Sequence, residues 1–215
     1  MGLDAGAAWR AWRSYKGAGL GVLAFLAGRM AVAPLGPLER DLRLLNGRIL
    51  SLGCGHGVVD RYVAELNTAV SIVGVELNED RVRIARDTEH RAPRVRVRHQ
   101  DVTLLEESGS YDGALVVDVL HHVPFEEHAR IAASLADCLR PGAICLVKEM
   151  ATTPRRQYWW NRIHDRLSAG PGPIYCRAPE DLAEVFAGEG FRVDETRRLR
   201  RLRLYPQYLI TLRRI

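Results

Sequence analysis

The sequence predicts an α/β fold, a parallel sheet flanked by helices, and three observations carry that prediction. From Arg48 onward short apolar runs alternate with amphipathic stretches, the pattern of strands and helices taking turns in a parallel sheet. The first run ends in a glycine-rich turn that opens a helix, Ile49 to Gly57. A length of 215 residues, with 47% apolar and 27% charged side chains, suits one large domain with a proper core. That composition excludes a disulfide-stapled mini-protein, a disordered chain and a membrane bundle.

Residues 1–47 read as two or three helices punctuated by Pro34 and Pro37, a helical cap or lid on a domain formed by 48–215. Trp9, Trp12 and Tyr15 recur at helical spacing and suggest one face of that lid, with Ser14 to Gly17 as a hinge or cover. The apolar stretch Gly17 to Gly28 is shorter than the roughly 20 residues that span a bilayer. Arg29 separates it from Ala31-Val32-Ala33, unlike the cleavage site of a signal peptide. Cys54, Cys138, Cys145 and Cys176 form no C-x-x-C pair, which points away from zinc and disulfides and toward a cytoplasmic location.

The strand candidates in the domain are Arg48 to Leu52, Val70 to Val75, Arg94 to Arg98, Gly113 to Val117 and Ala143 to Val147. Val58, Val59, Tyr62, Val63 and Leu66 mark the first intervening helix, and Asn78 with Glu79 and Asp80 caps the second. Ile131, Leu135 and Leu139 mark another, ahead of the turn pair Pro141-Gly142. Residues 151–178, rich in aromatics and broken at Ala169 to Pro173, read as an insertion covering a substrate site. A helix from Pro179 to Glu189 and two strands, around Phe191 to Thr196 and Tyr208 to Leu212, close the chain.

The chemistry concentrates at the strand ends. Gly53, Gly55 and Gly57 let backbone approach a ligand closely, and nineteen residues after Gly57 stands Glu76, at the end of Val73-Gly74-Val75-Glu76. A carboxylate there can accept hydrogen bonds from both hydroxyls of a ribose. Together these features favour a nucleoside-containing cofactor. A dinucleotide fingerprint wants glycine or alanine three residues after Gly55, where this chain has Val58, so a pyrophosphate is disfavoured. Gln100-Asp101-Val102 follows the third strand, where an aspartate and the next backbone N–H could address an adenine edge. Then come Tyr111-Asp112, the run Gly113 to Pro124 with Asp118, His121 and His122, and Leu139-Arg140-Pro141-Gly142.

With these motifs in this order, Arg48 to Met150 resembles a class I S-adenosylmethionine-dependent methyltransferase, of the group that includes quinone-biosynthesis and other small-molecule methyltransferases. The resemblance implies a Rossmann-like, seven-stranded, mostly parallel sheet with an antiparallel last strand at Tyr208 to Leu212 and helices on both faces. It implies S-adenosylmethionine as cofactor. The turn Gly53, Cys54, Gly55 and Gly57 would lie along the methionine part, Glu76 and Leu77 at the ribose, Asp101 and Val102 at the adenine, with Asp118 also at the cofactor. One departure is Ser51, where the family usually carries an acid; its hydroxyl brings no charge to the cofactor's ammonium.

Methyl transfer from a sulfonium is an in-line displacement, so positioning and exclusion of water are the main tasks. A base is needed only for an acceptor that is protonated at neutral pH. The candidates at the ends of the fourth and fifth strands are His122, His121 and Glu149, beside Asp118. No metal is expected, because these acids and histidines are not spaced like a ligand set. Tyr15, Trp159 and Tyr175 are candidate substrate contacts in a pocket for a hydrophobic or aromatic small molecule.

The formal charge of +5 is unevenly spread: residues 1–150 carry 18 basic against 19 acidic groups, and residues 151–215 carry 13 against 7. The stretch Arg197 to Arg203 reads as a solvated edge strand, with RNA or an anionic membrane surface as alternative partners. An Asn/Asp-Pro-Pro-aromatic motif is missing after the fourth strand, which argues against methylation of exocyclic base amines and leaves ribose or ring-carbon targets open. The expectation is therefore a small-molecule methyltransferase, monomer or homodimer. An RNA methyltransferase and a non-catalytic cofactor-binding relative are the competing readings.

Overall fold

The computed structural model describes residues 3–33, 35–105, 108–152, 172–199 and 206–215. Seven strands form one sheet: β1 Gly47–Leu52, β2 Val70–Glu76, β3 Val95–His99, β4 Tyr111–Val117, β5 Leu139–Met150, β6 Phe191–Leu199 and β7 Gln207–Arg214. Their order is β3-β2-β1-β4-β5-β7-β6. β1 to β5 pair in parallel, while β7 runs antiparallel to both β5 and β6. The seven-stranded sheet with an antiparallel final strand is the architecture the resemblance implied.

The helices are α1 Ala5–Arg13, α2 Leu20–Val32, α3 Leu35–Leu42, α4 Val58–Leu66, α5 Glu79–Asp87, α6 His128–Cys138 and α7 Pro179–Gly188. Successive strand residues point to opposite faces, so one strand feeds two cores. Leu50, Leu52, Val73, Val75, Ala114 and Val116 pack with Ile131 and Leu135 of α6 and Leu182 and Phe186 of α7. Ile49, Ile72, Leu115, Leu146 and Leu209 pack on the other face with Tyr62 and Val63 of α4 and with buried residues of α1, α2 and α3. The N-terminal helices thus share their core with the sheet. Trp12 is fixed within this layer, its Nε1 donating to the Leu23 carbonyl, whereas Trp9 is exposed.

Two details depart from the sequence-based expectation. Pro141-Gly142, expected as a turn ahead of the fifth strand, lies inside it. β5 starts at Leu139 opposite Tyr111, slips register between Tyr111 and Gly113, and continues to Met150. Antiparallel pairing with β7, from Ile144 with Arg213 to Met150 with Gln207, supports that added length. Secondly, two of the three described basic residues of the β6 edge are paired: Arg197 bonds Asp41 and the Pro37 carbonyl, and Arg192 bonds Asp194. Residues 200–205 and Trp159 lie outside the described residues. Among the described residues no single helix is long and apolar enough to cross a membrane.

The chain runs outward from β1 through β2 to β3, then returns to place β4 on the other side of β1. Such a reversal leaves a crevice at the carboxyl ends of the central strands, the usual ligand position in open α/β sheets. The site is built there.

Candidate functional site

A cavity of about 710 Å³ opens over the carboxyl ends of β1, β2 and β4, within the range of small-molecule sites. Its floor is the loop after β1. Gly53, Gly55 and Gly57 all have positive φ (56°, 61° and 77°), so the chain doubles back without side chains and delivers Gly57 as the N-cap of α4. A Cβ added at Gly55 would meet no atom within 4 Å, which leaves its bare backbone facing open space. Gly53, Cys54 and Gly55 line the cavity, while Gly57 turns behind it.

Glu76 ends β2 beside this turn. Its Oε2 accepts from the Gly55 N–H at 2.8 Å and its Oε1 from the Asn78 N–H at 2.9 Å. The carboxylate is therefore clamped between the glycine turn and the start of α5, and it lines the cavity with only 7% exposure. Leu77, Asp101 and Val102 continue the lining toward β3. Asp101 fixes its own turn by accepting from both the N–H and the hydroxyl of Thr103 at 2.8 Å. His56 lines the same end, its ring 5.4 Å from that of Phe25. Burial, reinforced by the Arg81 charge, lowers its pKa to about 4, so the imidazole is neutral at pH 7. Burial, with Asp60 and Glu76 nearby, pushes the Cys54 thiol well up, so it stays protonated and is a poor nucleophile.

At the opposite end β4 delivers Asp118, a non-glycine residue with φ of 57°. Its carboxylate pairs with the buried Lys148 and, at 3.0 Å, with Arg29 of α2. Burial opposes ionisation, but these two cations prevail and hold its pKa below the ordinary range. Asp118 is thus a fixed anion. Of the two adjacent histidines, His122 lines the cavity and His121 is buried behind it. Their rings lie 4.1 Å apart.

Several sequence-based candidates stand away from the cavity, each for a physical reason. His121 and Glu149 face each other inside the fold, Nδ1 to Oε2 at 2.6 Å. Glu149 spends its other oxygen on the Val119 and Leu120 N–H groups, at 2.8 and 2.7 Å. This pair braces the loop after β4 and does not meet the cavity. Tyr15 is fully buried: its hydroxyl donates to the His56 carbonyl at 2.5 Å, and the Arg61 guanidinium stacks 3.9 Å above its ring. It is a prop beneath the glycine turn, not a substrate contact. Tyr175 packs edge-on against Phe125 and donates its N–H to the His121 carbonyl, outside the lining. Asp118, His121 and Glu149 bring potential metal ligands within 4.8 Å of one another, but the carboxylates are already engaged by Lys148, Arg29 and backbone donors.

The structure also brings in residues that sequence reasoning passed over. Phe25, Leu26 and Arg29 reach the cavity from α2, so the N-terminal segment contributes through its second helix and not through Trp9 to Tyr15. The apolar run with a single arginine was their signal. Asp60 lines the cavity from α4, where every residue except Glu65 is buried. An acid inside a helix that is buried all round was its signal.

The comparisons agree with this geometry. Residues 28–196 match the family model described as a methyltransferase domain. The chain is 30% identical over 116 residues to the ubiquinone biosynthesis O-methyltransferase of Xanthomonas euvesicatoria pv. vesicatoria, covering 53% of this chain and 47% of that protein. It spans about half or less of the length of the curated relatives it matches. A solved S-adenosylmethionine-dependent methyltransferase from Methanosarcina mazei superposes with a TM-score of 0.68 at 18% identity, covering 84% of this chain and 98% of that one. The 1,6-didemethyltoxoflavin-N1-methyltransferase of Burkholderia thailandensis, solved with 1,6-didemethyltoxoflavin and S-adenosylhomocysteine bound, superposes with a TM-score of 0.67 at 19% identity. That match covers 90% of this chain and 84% of that one.

Proposed function

The chain belongs to the class I S-adenosylmethionine-dependent methyltransferases, and from that premise we propose that it methylates a small hydrophobic or aromatic acceptor, at a hydroxyl oxygen. The observation that carries this reading is the division of one cavity. A polar end built on Glu76 and Asp101 meets an end formed by Phe25, Leu26, Val119, Val123, Pro124 and the His122 imidazole.

The residues present fit the cofactor. Glu76 holds a fixed carboxylate at the cavity wall, Gly55 leaves the space a side chain would fill, and Asp101 and Val102 lie one strand further along. Glu76 would take the ribose, Asp101 and Val102 the adenine, and the glycine turn the methionine part. When bound, S-adenosylmethionine supplies a methyl group on a sulfonium, activated toward a nucleophile. The chain's own residues do the rest. The clamped Glu76 fixes the nucleoside's position, which is the largest lever available to a displacement of this kind. Phe25, Leu26, Val119 and Val123 exclude water and offer apolar surface to the acceptor. His122 takes the acceptor's proton at an imidazole nitrogen as the oxygen attacks. The likeness to an O-methyltransferase supports oxygen as the acceptor atom.

Titration calorimetry with S-adenosylmethionine and S-adenosylhomocysteine, followed by mass spectrometry of label transfer to phenols, amines and short RNAs, tests the reading. Micromolar binding and label on a phenolic or other hydroxyl acceptor are expected. No binding of either molecule, or label passing to RNA instead, would overturn it.

A further inference from the structure

The carboxylates around the cavity are not equally provided for. Asp118 is bracketed by Lys148 and Arg29, Glu127 pairs with Arg130, and Glu76 and Asp101 each hold backbone N–H groups. Among the described residues Asp60 forms no ion pair and accepts from no backbone N–H. With 1% exposure it is as buried as any of them, yet its contact is one hydroxyl: Ser51 Oγ donates to Oδ1 at 2.8 Å. Oδ2 has no hydrogen-bond partner among the described residues. It lies in the space that β2 leaves by carrying glycine at position 74, where a Cβ would come within 2.8 Å of it.

The adjacent arginine does not repair this. Arg61 turns its guanidinium to Ser14 Oγ, the Ala85 carbonyl and Thr88 Oγ1, at 2.8 to 2.9 Å. The titratable and charged groups that face Asp60 are Tyr15 from the end of α1, Cys54 from the glycine turn and Arg61 from α4 itself. Tyr15 and Cys54 stay neutral because burial raises both. Desolvation, only partly opposed by Ser51 and Arg61, pushes Asp60 up to about 7. A buried carboxylate so poorly compensated is costly to keep. Its cost is offset if a cation arrives in the cavity.

Both Ser51 and Asp60 line that cavity, on the β1 side. The adenine end at β3 and the ribose at β2 leave the β1 and β4 ends for the amino-acid part of the cofactor. Ser51 gives its only proton to Asp60, so its oxygen has lone pairs left to accept from an N–H. We propose that Ser51 and Asp60 act as a unit that receives the ammonium of the cofactor's methionine part, Ser51 Oγ as the contacting acceptor and Asp60 as the compensating charge behind it. The negative charge lies one hydrogen bond away from position 51, on α4. This inference rests on the cofactor reading above and adds the residues that hold one end of it.

Calorimetry with two probes separates the two claims. S-adenosylhomocysteine carries the ammonium; 5′-methylthioadenosine keeps the nucleoside and sulfur but lacks the amino-acid part. Asp60→Asn should bind S-adenosylhomocysteine about 10- to 100-fold more weakly, the loss expected for one charge-assisted contact. The same variant should bind methylthioadenosine as the wild type does, which also reports an intact fold. The exchange Ser51→Asp with Asp60→Ser moves the charge across the hydrogen bond and should restore S-adenosylhomocysteine affinity to within a few-fold. A merely structural Asp60 would show no such rescue. Equal losses for both probes, or no loss for either, overturn the inference while leaving the cofactor reading standing. A wild type that binds neither probe overturns both.

Discussion

His121 Nδ1 and Glu149 Oε2 lie 2.6 Å apart, both side chains about 3% exposed, at the junction of β5 with the loop that follows β4. The same carboxylate caps the Val119 and Leu120 N–H groups, so one buried acid sets the path of a whole turn. Burial by itself would raise its pKa, but His121 and the Val119 N–H prevail and lower it. A folded-state pKa below the unfolded value means that the stability Glu149 contributes is present above about pH 4.3 and is lost as pH falls through the lower folded value. Glu149→Ala strands two buried N–H donors and His121. It should cost about 3–5 kcal/mol in denaturant melts at pH 7, and the deficit should narrow in acid. A deficit below about 1 kcal/mol at pH 7 would mean that the turn is held by something else.

Asp60 predicts the opposite pH behaviour. Its folded-state pKa, about 7, is above the unfolded value of roughly 3.9. For a raised pKa the favourable contribution is complete below about pH 4 and disappears as pH rises through 7. Ligand-free wild type should therefore lose stability between pH 5 and 8, by a few kcal/mol at most. Asp60→Asn should melt higher than wild type at pH 8 and draw level with it, or fall below, at pH 5. If the variant is the less stable protein at pH 8, the carboxylate is better compensated than the structure indicates.

The clamp on Glu76 makes a distinct forecast. Glu76→Ala removes the proposed ribose acceptor and also releases the Gly55 and Asn78 N–H groups that order the turn. Loss of one or two hydrogen bonds to a charged group, at about 1.5–3 kcal/mol each, corresponds to at least tenfold weaker binding of S-adenosylhomocysteine. Because the proposed pose sets Glu76 against the nucleoside, methylthioadenosine should suffer the same loss, unlike the pattern expected for Asp60. Unchanged affinity in calorimetry would place the ribose elsewhere.

Much of this site was legible in the sequence, and the part that was not has a common cause. Gly53, Gly55, Glu76 and Asp101 were readable because each is tied to a local element: a turn that needs positive φ, a strand end, an Asx turn. Sequence spacing reports such neighbours directly. His121 and Glu149 could not be sorted from His122 in the same way, because which imidazole faces the cavity depends on a hydrogen bond across 28 residues. Tyr15 was misread for a related reason. Its helical spacing with Trp12 showed a shared face but not that the face closes on α4 and on the His56 carbonyl, 41 residues away. Asp60 gave a signal, an acid among Val58, Val59, Tyr62 and Val63, that had no meaning until β1 placed Ser51 opposite it.

In the proposed reaction His122 is the residue on which the chemistry of the acceptor turns, and its variant can be read without ambiguity if the acceptor is chosen well. It lines the cavity beside Val119, Val123 and Pro124, while the acids around it are committed elsewhere: Asp118 to Lys148 and Arg29, Glu149 to the loop. If the imidazole removes a proton as oxygen attacks, His122→Ala should lower kcat on a simple phenol at pH 7 by about 10²–10⁴-fold. S-adenosylhomocysteine affinity should hardly change. The comparison that decides is a series of phenols of falling pKa. A nitrophenol that is already ionised at pH 7 needs no base, so the variant should approach wild-type kcat with it, and the rate deficit should shrink steadily along the series. A deficit of the same size for ionised and unionised phenols would assign His122 to packing or positioning, and the proton would then leave directly to water.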